Sequence, residues 1–244
     1  DGDNLKSVSL MPGSVDIDTP SISAAAGSAY AELIDPSHRR GGFVDFSYGS
    51  YNMHREFVRL ESGDIGNTGV RAFASFSNTA TDNWRGPGKF TRKHVDFKLI
   101  KDFTPESRWT INASYNTNQL QLDMYPTKDQ FAEYGKHLDY KSSFDKNDRT
   151  NYYKYGLDAF QNLIASAPLS LKLADGLRFD DTPYLWWGSG SIGGVSTVED
   201  GQTYSGNQPV DVNVANGTTV YSPLYFSYHR TGNNAKMTWT KGIN

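Results

Sequence analysis

Strict alternation of apolar and polar side chains is the feature of this sequence that most limits its fold. Residues 107–116, SRWTINASYN, place Trp109, Ile111, Ala113 and Tyr115 on one parity and Arg108, Thr110, Asn112, Ser114 and Asn116 on the other. Because successive side chains of a β-strand point to opposite sides, this stretch predicts a strand with one apolar and one polar face. The apolar face meets either a protein core or lipid, and in the second case the polar face lines an aqueous interior.

The same alternation recurs in FVDFSYGS (43–50), GVRAFASFS (69–77), HVDFKLIKD (94–102) and AKMTWTKG (235–242). Arg71, Lys98 and Lys236 stand in the middle of these predicted strands. A soluble core does not tolerate such long charged side chains, whereas a solvated face does. We therefore expect the apolar face to contact lipid and the polar face to be solvated.

Composition agrees with a barrel that has a wet interior. Of the 244 residues 37% are hydrophobic and 14% aromatic, and the mean hydropathy is −0.61. A polar chain rich in aromatics is typical of barrels with aromatic girdles. The net charge of −3 gives no basis for a nucleic-acid partner, and the lack of cysteine excludes disulfides and thiolate metal sites. No run of about 18 apolar residues predicts a transmembrane helix.

The connections between strands give a second, independent signal. We predict an all-β, antiparallel chain with nine strands at about 42–50, 53–62, 69–78, 92–102, 107–118, 167–174, 177–187, 219–230 and 235–242. The even-numbered connections are short and turn-like, the last being TGNN at 231–234, whereas long loops are predicted near 79–91, 119–166 and 188–218. Short turns on one rim and long loops on the other are typical of outer-membrane barrels.

Two other all-β architectures are less consistent with this pattern. A soluble sandwich also has strands at regular spacing, but it does not account for the long loops or for the charged strand centres. A β-solenoid requires a fixed sequence period, and the chain shows alternation without a repeat.

One combination of segments resembles TonB-dependent outer-membrane receptors at the junction of plug and barrel. It consists of the small-residue segment SISAAAGSAYAEL (21–33), GGFVDFSYGSYN (41–52), the strand GVRAFASFS and the loop NTATDNWRG (78–86). The resemblance implies that residues 1–40 are the C-terminal part of a plug domain and its link. Residues 41–244 would then be the N-terminal part of a transmembrane β-barrel. Because the family's barrel has 22 strands, we expect the chain to be a piece of a longer receptor.

The function implied by the resemblance is energised uptake of a scarce solute, such as a siderophore, cobalamin or a saccharide, across the bacterial outer membrane. The implied partners are outer-membrane lipid, a small-molecule or oligomeric ligand, and a TonB-type protein that acts through a region outside this sequence. Two alternatives stay open. One is a passive porin-like diffusion channel, and the other is a soluble β-rich carbohydrate-binding module.

Ligand contacts are expected on the long loops, because loops carry recognition while strands form a scaffold. The candidates combine aromatic rings with cations and are Trp84, Arg85, Lys89, Arg149, Tyr152, Tyr153 and Tyr155. Loop packing or an outer aromatic girdle is the competing interpretation of the tyrosines. For Tyr184, Trp186 and Trp187 the girdle is the stronger interpretation. Phe131, Tyr134 and Leu138 predict a short loop helix.

No catalytic constellation is found in the sequence, so the protein is not expected to be an enzyme or to carry a cofactor. GSGSIG at 188–193 has dinucleotide-type glycines but predicts no following helix. Asp145, Asn147 and Asp148 lack the later glycine and glutamate of a calcium loop. The histidines show no metal-ligand spacing, and we predict no metal site.

Overall fold

The computed structural model describes residues 1–13, 26–199, 201, 203–211 and 217–240. Its elements in chain order are β1 (Leu5–Pro12), β2 (Gly27–Leu33), β3 (Arg40–Tyr48), β4 (His54–Ser62), β5 (Val70–Asp82), β6 (Lys89–Thr104), β7 (Ser107–Gln121), α1 (Lys128–Tyr134), β8 (Leu157–Ser166), β9 (Leu169–Ala174), β10 (Leu177–Ile192), β11 (Val195–Val198), β12 (Tyr204–Ser205), β13 (Gln208–Pro209), β14 (Thr218–Tyr221) and β15 (Leu224–Trp239). Short 3₁₀ turns occupy Gly2–Asn4 and Tyr153–Gly156. Within the described ranges no helix is long and apolar enough to span a membrane.

One antiparallel sheet contains most of the described strands, in the order β15-β10-β8-β7-β6-β5-β4-β3. Strand β9 continues β8 and pairs with the same two neighbours, β7 and β10. The break between β8 and β9 falls at Pro168, which has no N–H to donate. The ladder is completed around it, because Thr110 N donates to Pro168 O at 2.8 Å and Ala167 N donates to Pro183 O at 3.0 Å.

Strand positions agree with the alternation, with two corrections. The predicted turn at 231–234 is wrong, because β15 pairs with β10 in unbroken register from Ile192↔Leu224 to Leu177↔Trp239. Gly232 lies opposite Tyr184, and a Cβ there would stand 2.4 Å from Tyr184 Cζ. This glycine accommodates a ring and does not form a turn. The prediction of a loop across 119–166 is also wrong at its C-terminal end, because Leu157–Ser166 forms strand β8.

The connections still divide by length between the two rims. Residues 63–69, 105–106 and 175–176 link strands at one rim, which we call the short rim. Residues 49–53, 83–88, 122–156 and 193–223 link them at the other, the long rim. The long-rim turn after β3 has Tyr51 and Asn52 at positive φ, a geometry that joins adjacent strands tightly. The sheet has nine strands, as predicted, but β9 continues β8, so the strands make eight crossings and β15 ends at the short rim.

The outer face of the sheet, defined as the side that carries Val44, Leu60, Phe76 and Val95, is apolar and exposed. Register places these residues side by side, since Val44 pairs with Val58, Val58 with Phe76, and Phe76 with Val95. Their exposed fractions are 62% for Val44, 65% for Leu60, 41% for Phe76 and 38% for Val95. Contiguous exposed apolar surface of this kind is rare on soluble monomers and marks a surface that binds a protein partner or a membrane.

The inner face, which carries Arg71, Ser75, Asp96 and Lys98, is buried on β4 to β6 and is mixed, because Phe57, Phe73 and Ile100 lie among these polar side chains. The exposed fraction is 4% for Arg71, 5% for Ser75, 0% for Asp96 and 5% for Lys98. The expectation of a solvated polar face is therefore wrong for this part of the sheet. Residues 1–4 and 33–37, at the base of the β1–β2 hairpin, lie on it instead.

Both ends of the sheet are open in the described part of the chain. Strand β3 pairs only with β4, and β15 only with β10. An exposed edge strand presents a row of unpaired backbone groups that further strands can join. The sheet thus has the edges of a partial barrel.

The predicted loop helix is confirmed in a shorter form. α1 covers Lys128–Tyr134, and Thr127 begins it with a capping box in which Gln130 N donates to Thr127 Oγ1 and Thr127 N donates to Gln130 Oε1. Leu138 lies beyond its end at Gly135, whose φ is 75°.

Candidate functional site

The first candidate site is the base contact, formed by residues 1–4 and 33–37 against the inner face of β4 to β7. Asn4 is its centre and is fully buried. Asn4 Nδ2 donates to Ser75 Oγ and to Asp96 Oδ2, both at 2.7 Å, while Asn4 Oδ1 accepts from Arg59 Nη1 at 3.1 Å. Each polar atom of this amide therefore has a partner, which a buried amide requires.

Asp96 collects donors from three segments of the chain. Besides Asn4, it accepts from Ser114 Oγ at 2.5 Å and is 2.8 Å from His94 Nε2. Arg92 approaches the other ring nitrogen of His94 at 2.9 Å. The carboxylate holds β6, β7 and the N-terminal residues in one hydrogen-bonded network.

Two arginines of β4 bind the N-terminal residues from the side. Arg55 pairs with Asp1, at 2.9 Å, and with Asp3. Arg59 donates to Asp3 O at 2.9 Å and pairs with Glu61 at 3.0 Å. The guanidinium of Arg59 also lies 4.7 Å from the ring centre of Phe43. The contact of residues 1–4 is thus made of charged and hydrogen-bonding groups.

Residues 33–37 are held in the same way. Lys98 donates to Leu33 O and pairs with Asp35, both at 2.8 Å. Arg108 pairs with Asp35 at 2.7 Å. Arg71 donates to Pro36 O at 3.1 Å and pairs with Asp102 at 2.5 Å. The charged side chains at the strand centres, which the sequence predicts to be solvated, therefore hold residues 33–37 against the sheet.

The pKa of Asp35 is shifted downward. Partial burial opposes ionisation, but hydrogen bonds and charges from Lys98 and Arg108 outweigh it and lower the pKa. A carboxyl whose pKa is lower in the docked state than in the free state stabilises docking above its ordinary pKa of about 3.9. That contribution is lost as the pH falls through the lowered value.

Acidification is therefore expected to loosen the hairpin. A spin label on a single cysteine at Ala29 of β2 is expected to gain mobility as the pH is lowered from 6 to about 3, across the ordinary pKa of aspartate. Asp35→Asn should reduce this dependence, to which the Glu32 pairing with Lys6 also contributes, whereas Asp175→Asn, in an exposed turn remote from the hairpin, should leave it unchanged. Equal pH profiles for the parent and Asp35→Asn would contradict the assignment.

Sequence reasoning missed the base contact because its signal is not local. Asn4 is separated from Ser75 and Asp96 by 71 and 92 positions. The available signal was the line of charged side chains at strand centres, Arg71 and Lys98 among them, which is costly unless each charge has a partner.

The second candidate site is at the long rim, where the predicted ligand residues lie in two groups. In the first, the Arg85 guanidinium stacks at 5.1 Å on the ring of Trp84, which is 49% exposed. Arg85 also donates to Met124 O and lies 3.6 Å from Asp139. Lys89 Nζ is 3.5 Å from Asp82 Oδ1, and the Lys89 side chain is largely exposed to solvent. Trp84 and Lys89 are accessible, whereas Arg85 braces the 122–156 loop.

In the second group the predicted tyrosines pack on one another. Tyr152 makes edge contacts with Phe144, Tyr153 and Tyr155, with ring centres 5.9, 5.4 and 5.5 Å away. Tyr155 stacks on Tyr221 at 5.6 Å and so joins the two long connections of this rim. Arg149 is apart from the rings and donates to Lys146 O at 3.0 Å. These contacts support loop packing, and ligand binding by these residues stays a prediction.

The girdle interpretation is wrong for Tyr184 and Trp186. Trp186 pairs with Ile164, which pairs with Ser114, and the Ser114 hydroxyl donates to Asp96. Side chains directly opposite one another share a face, so Trp186 lies on the inner face and Trp187 on the outer one. Tyr184 has the parity of Trp186 and is also on the inner face.

Comparison with known proteins gives the fold. No protein-family model matches the chain, and no curated protein matches it in sequence. Its structure is similar to that of the siderophore receptor PiuA from Acinetobacter baumannii, with a TM-score of 0.56 and 14% sequence identity. The similarity covers 81% of this chain and 28% of the receptor chain, so the chain spans less than a third of that protein's length. The chain is an antiparallel all-β structure with the fold of a partial β-barrel.

Proposed function

We propose that the chain is part of an outer-membrane receptor that takes up a scarce solute, with the sheet as barrel wall and residues 1–40 as the end of a plug. The observation that carries this proposal is that the two faces of the sheet are inverted relative to those of a soluble protein. Its outer face is apolar and exposed, while its inner face carries buried charges. Lipid outside and a hydrogen-bonded plug inside satisfy both faces, whereas water outside would leave the apolar face uncovered.

Further features support an active receptor over a passive channel. The base contact fills the inner face of β4 to β7 with residues that precede the wall in sequence, which an open diffusion channel does not need. The long connections are all on one rim, as expected of ligand-collecting loops. The similarity to a siderophore receptor suggests a chelate or another small solute, and the open edges of β3 and β15 suggest that further strands close the barrel.

The test is fractionation followed by uptake. The natural full-length protein, expressed in a Gram-negative host, is expected in the outer-membrane fraction after density separation and to migrate differently on gels before and after heating. Growth on a limiting solute should then require both this protein and a functional TonB system. Recovery of the folded protein from the soluble fraction would contradict the location, and uptake that persists without TonB would favour a passive channel.

A further inference from the structure

The inner face has a second region, on β8, β10 and β15, that residues 1–4 and 33–37 do not contact. Register places Phe160, Gly190 and Phe226 in one row across these strands, and Asn162, Gly188 and Tyr228 in the next. The row toward the short rim contains Ile164, Trp186 and Arg230. Aromatic side chains thus lie in adjacent rows on this region of the inner face.

Glycines allow two of these rings to lie along the wall. A Cβ on Gly188 would stand 2.4 Å from Tyr228 Cζ, and one on Gly190 would stand 3.0 Å from Phe160 Cδ2. The rings of Phe160 and Tyr228 are inclined by only 28° with centres 6.3 Å apart, and those of Phe160 and Phe226 by 31° at 5.9 Å. Phe160, Phe226 and Tyr228 therefore form an aromatic floor.

Trp186 stands against this floor at a steep angle. Its ring is inclined by 80° to that of Tyr228, with centres 5.1 Å apart, and is 36% exposed. The Arg230 guanidinium lies 5.1 Å from the centre of the Trp186 ring. Among the described residues no carboxylate pairs with Arg230. Floor, Trp186 and Arg230 together make the aromatic corner.

We propose that the aromatic corner binds a small solute that has a flat ring face and a carboxylate. The ring stacks on the floor, as aromatic faces favour, and the carboxylate accepts hydrogen bonds from the Arg230 guanidinium. This inference deepens the proposed function and rests on it, because the solute would have to enter from the long rim. Trp186 is six positions from Ile192, the last residue of β10, roughly 20 Å along the strand.

The stacked pair Tyr155 and Tyr221 lies at the top of this route. Strand β14, which ends at Tyr221, pairs with β11 just beyond the ends of β10 and β15. A solute captured between the long connections therefore meets aromatic rings at the rim and again inside the wall. The corner accepts either an aromatic acid or a sugar acid, since both carry the required ring face and charge.

Binding to the full-length protein in detergent, measured by titration calorimetry, tests the proposal. The probes are naphthalene-2-carboxylate, trigalacturonate and neutral maltotriose. At least one acidic probe is expected to bind, and which one binds identifies the source of the ring. Trp186→Ala should weaken that binding about tenfold. Arg230→Gln should weaken it about 10-fold to 100-fold and should leave any binding of maltotriose unchanged.

The chain offers a matched control. Trp187 is next in sequence but points to the outer face, so Trp187→Ala should change binding less than about twofold. If Trp186→Ala does not fold, Trp186→Phe replaces it in the test. This variant keeps a ring and preserves packing, so it should bind the probe with an intermediate affinity. The inference is overturned if neither acidic probe binds, if Trp187→Ala weakens binding as much as Trp186→Ala, or if Arg230→Gln leaves acidic probes unaffected. If the binding experiment fails, the proposed membrane location is unaffected. If the proposed function is wrong, the fractionation experiment shows it, independently of the binding result.

Discussion

Asp96→Ala is expected to release the β1–β2 hairpin from the sheet. The substitution leaves Asn4 Nδ2, Ser114 Oγ and the His94 ring without their shared acceptor, in a site where Asp96 itself is 0% exposed. Removing one charged partner from a buried network costs about 3–5 kcal/mol. A two-stranded hairpin is marginal in water once undocked. Amides of β1 and β2 should then exchange with solvent roughly 100-fold faster or more.

Hydrogen exchange followed by mass spectrometry, on peptides that cover β1 and β2, measures this effect. Asp180→Ala is the matched control, because Asp180 is also a strand carboxylate on the inner face but contacts Ser170 and Arg178. It should leave exchange in the hairpin unchanged. Unaltered exchange in Asp96→Ala would mean that the hairpin is held by something other than the base contact.

Val95→Arg is expected to destabilise the protein in a bilayer but not in water. Val95 lies near the middle of β6 on the outer face and is 38% exposed. An arginine on the lipid face near the bilayer midplane costs about 2–4 kcal/mol. On a water-exposed sheet the same change is usually within about 0.5 kcal/mol. The size of the effect therefore identifies the medium that covers the outer face.

Reversible denaturation of the full-length protein in lipid vesicles gives the comparison. Thr91→Arg is the control, because Thr91 has the same parity on the same strand but is near the long rim, where the cost falls to about 0–1 kcal/mol. Equal effects at both positions would exclude a depth-dependent apolar environment and with it the proposed barrel wall.

Alternation predicted the strands well where one face is covered by protein and the other is apolar along the middle of the strands. It failed for β8, LDAFQNLIAS, because Phe160 and Ile164 lie on the opposite face from Leu163, so both parities are partly apolar. It failed at 231–234 because Gly232 resembles a turn residue but serves to admit the Tyr184 ring. Each failure arises where the inner face turns from polar to aromatic.

Sequence periodicity could not predict the base contact, for a different reason. Arg71 and Lys98 were recognised as charges at strand centres, but periodicity assigns a side chain to a face without saying what lies on that face. Asn4 carries no local signal, and its burial depends on residues far along the chain. Long-range hydrogen bonds, and not hydrophobic pattern, define this part of the structure.

The base of the β1–β2 hairpin has a mechanical consequence. Residues 1–4 enter β1 and residues 33–37 leave β2 at the same end, where Leu5 pairs with Leu33 and Ile34 N donates to Asn4 O. A pull on residue 1 against an anchored Asp35 would therefore break the contacts of residues 1–4 first and then open the ladder one rung at a time from Leu5 toward Pro12. Such unzipping loads few bonds at once, whereas shearing loads a whole ladder together. Once the base contact is broken, the hairpin itself therefore offers little further resistance to a pull in that direction.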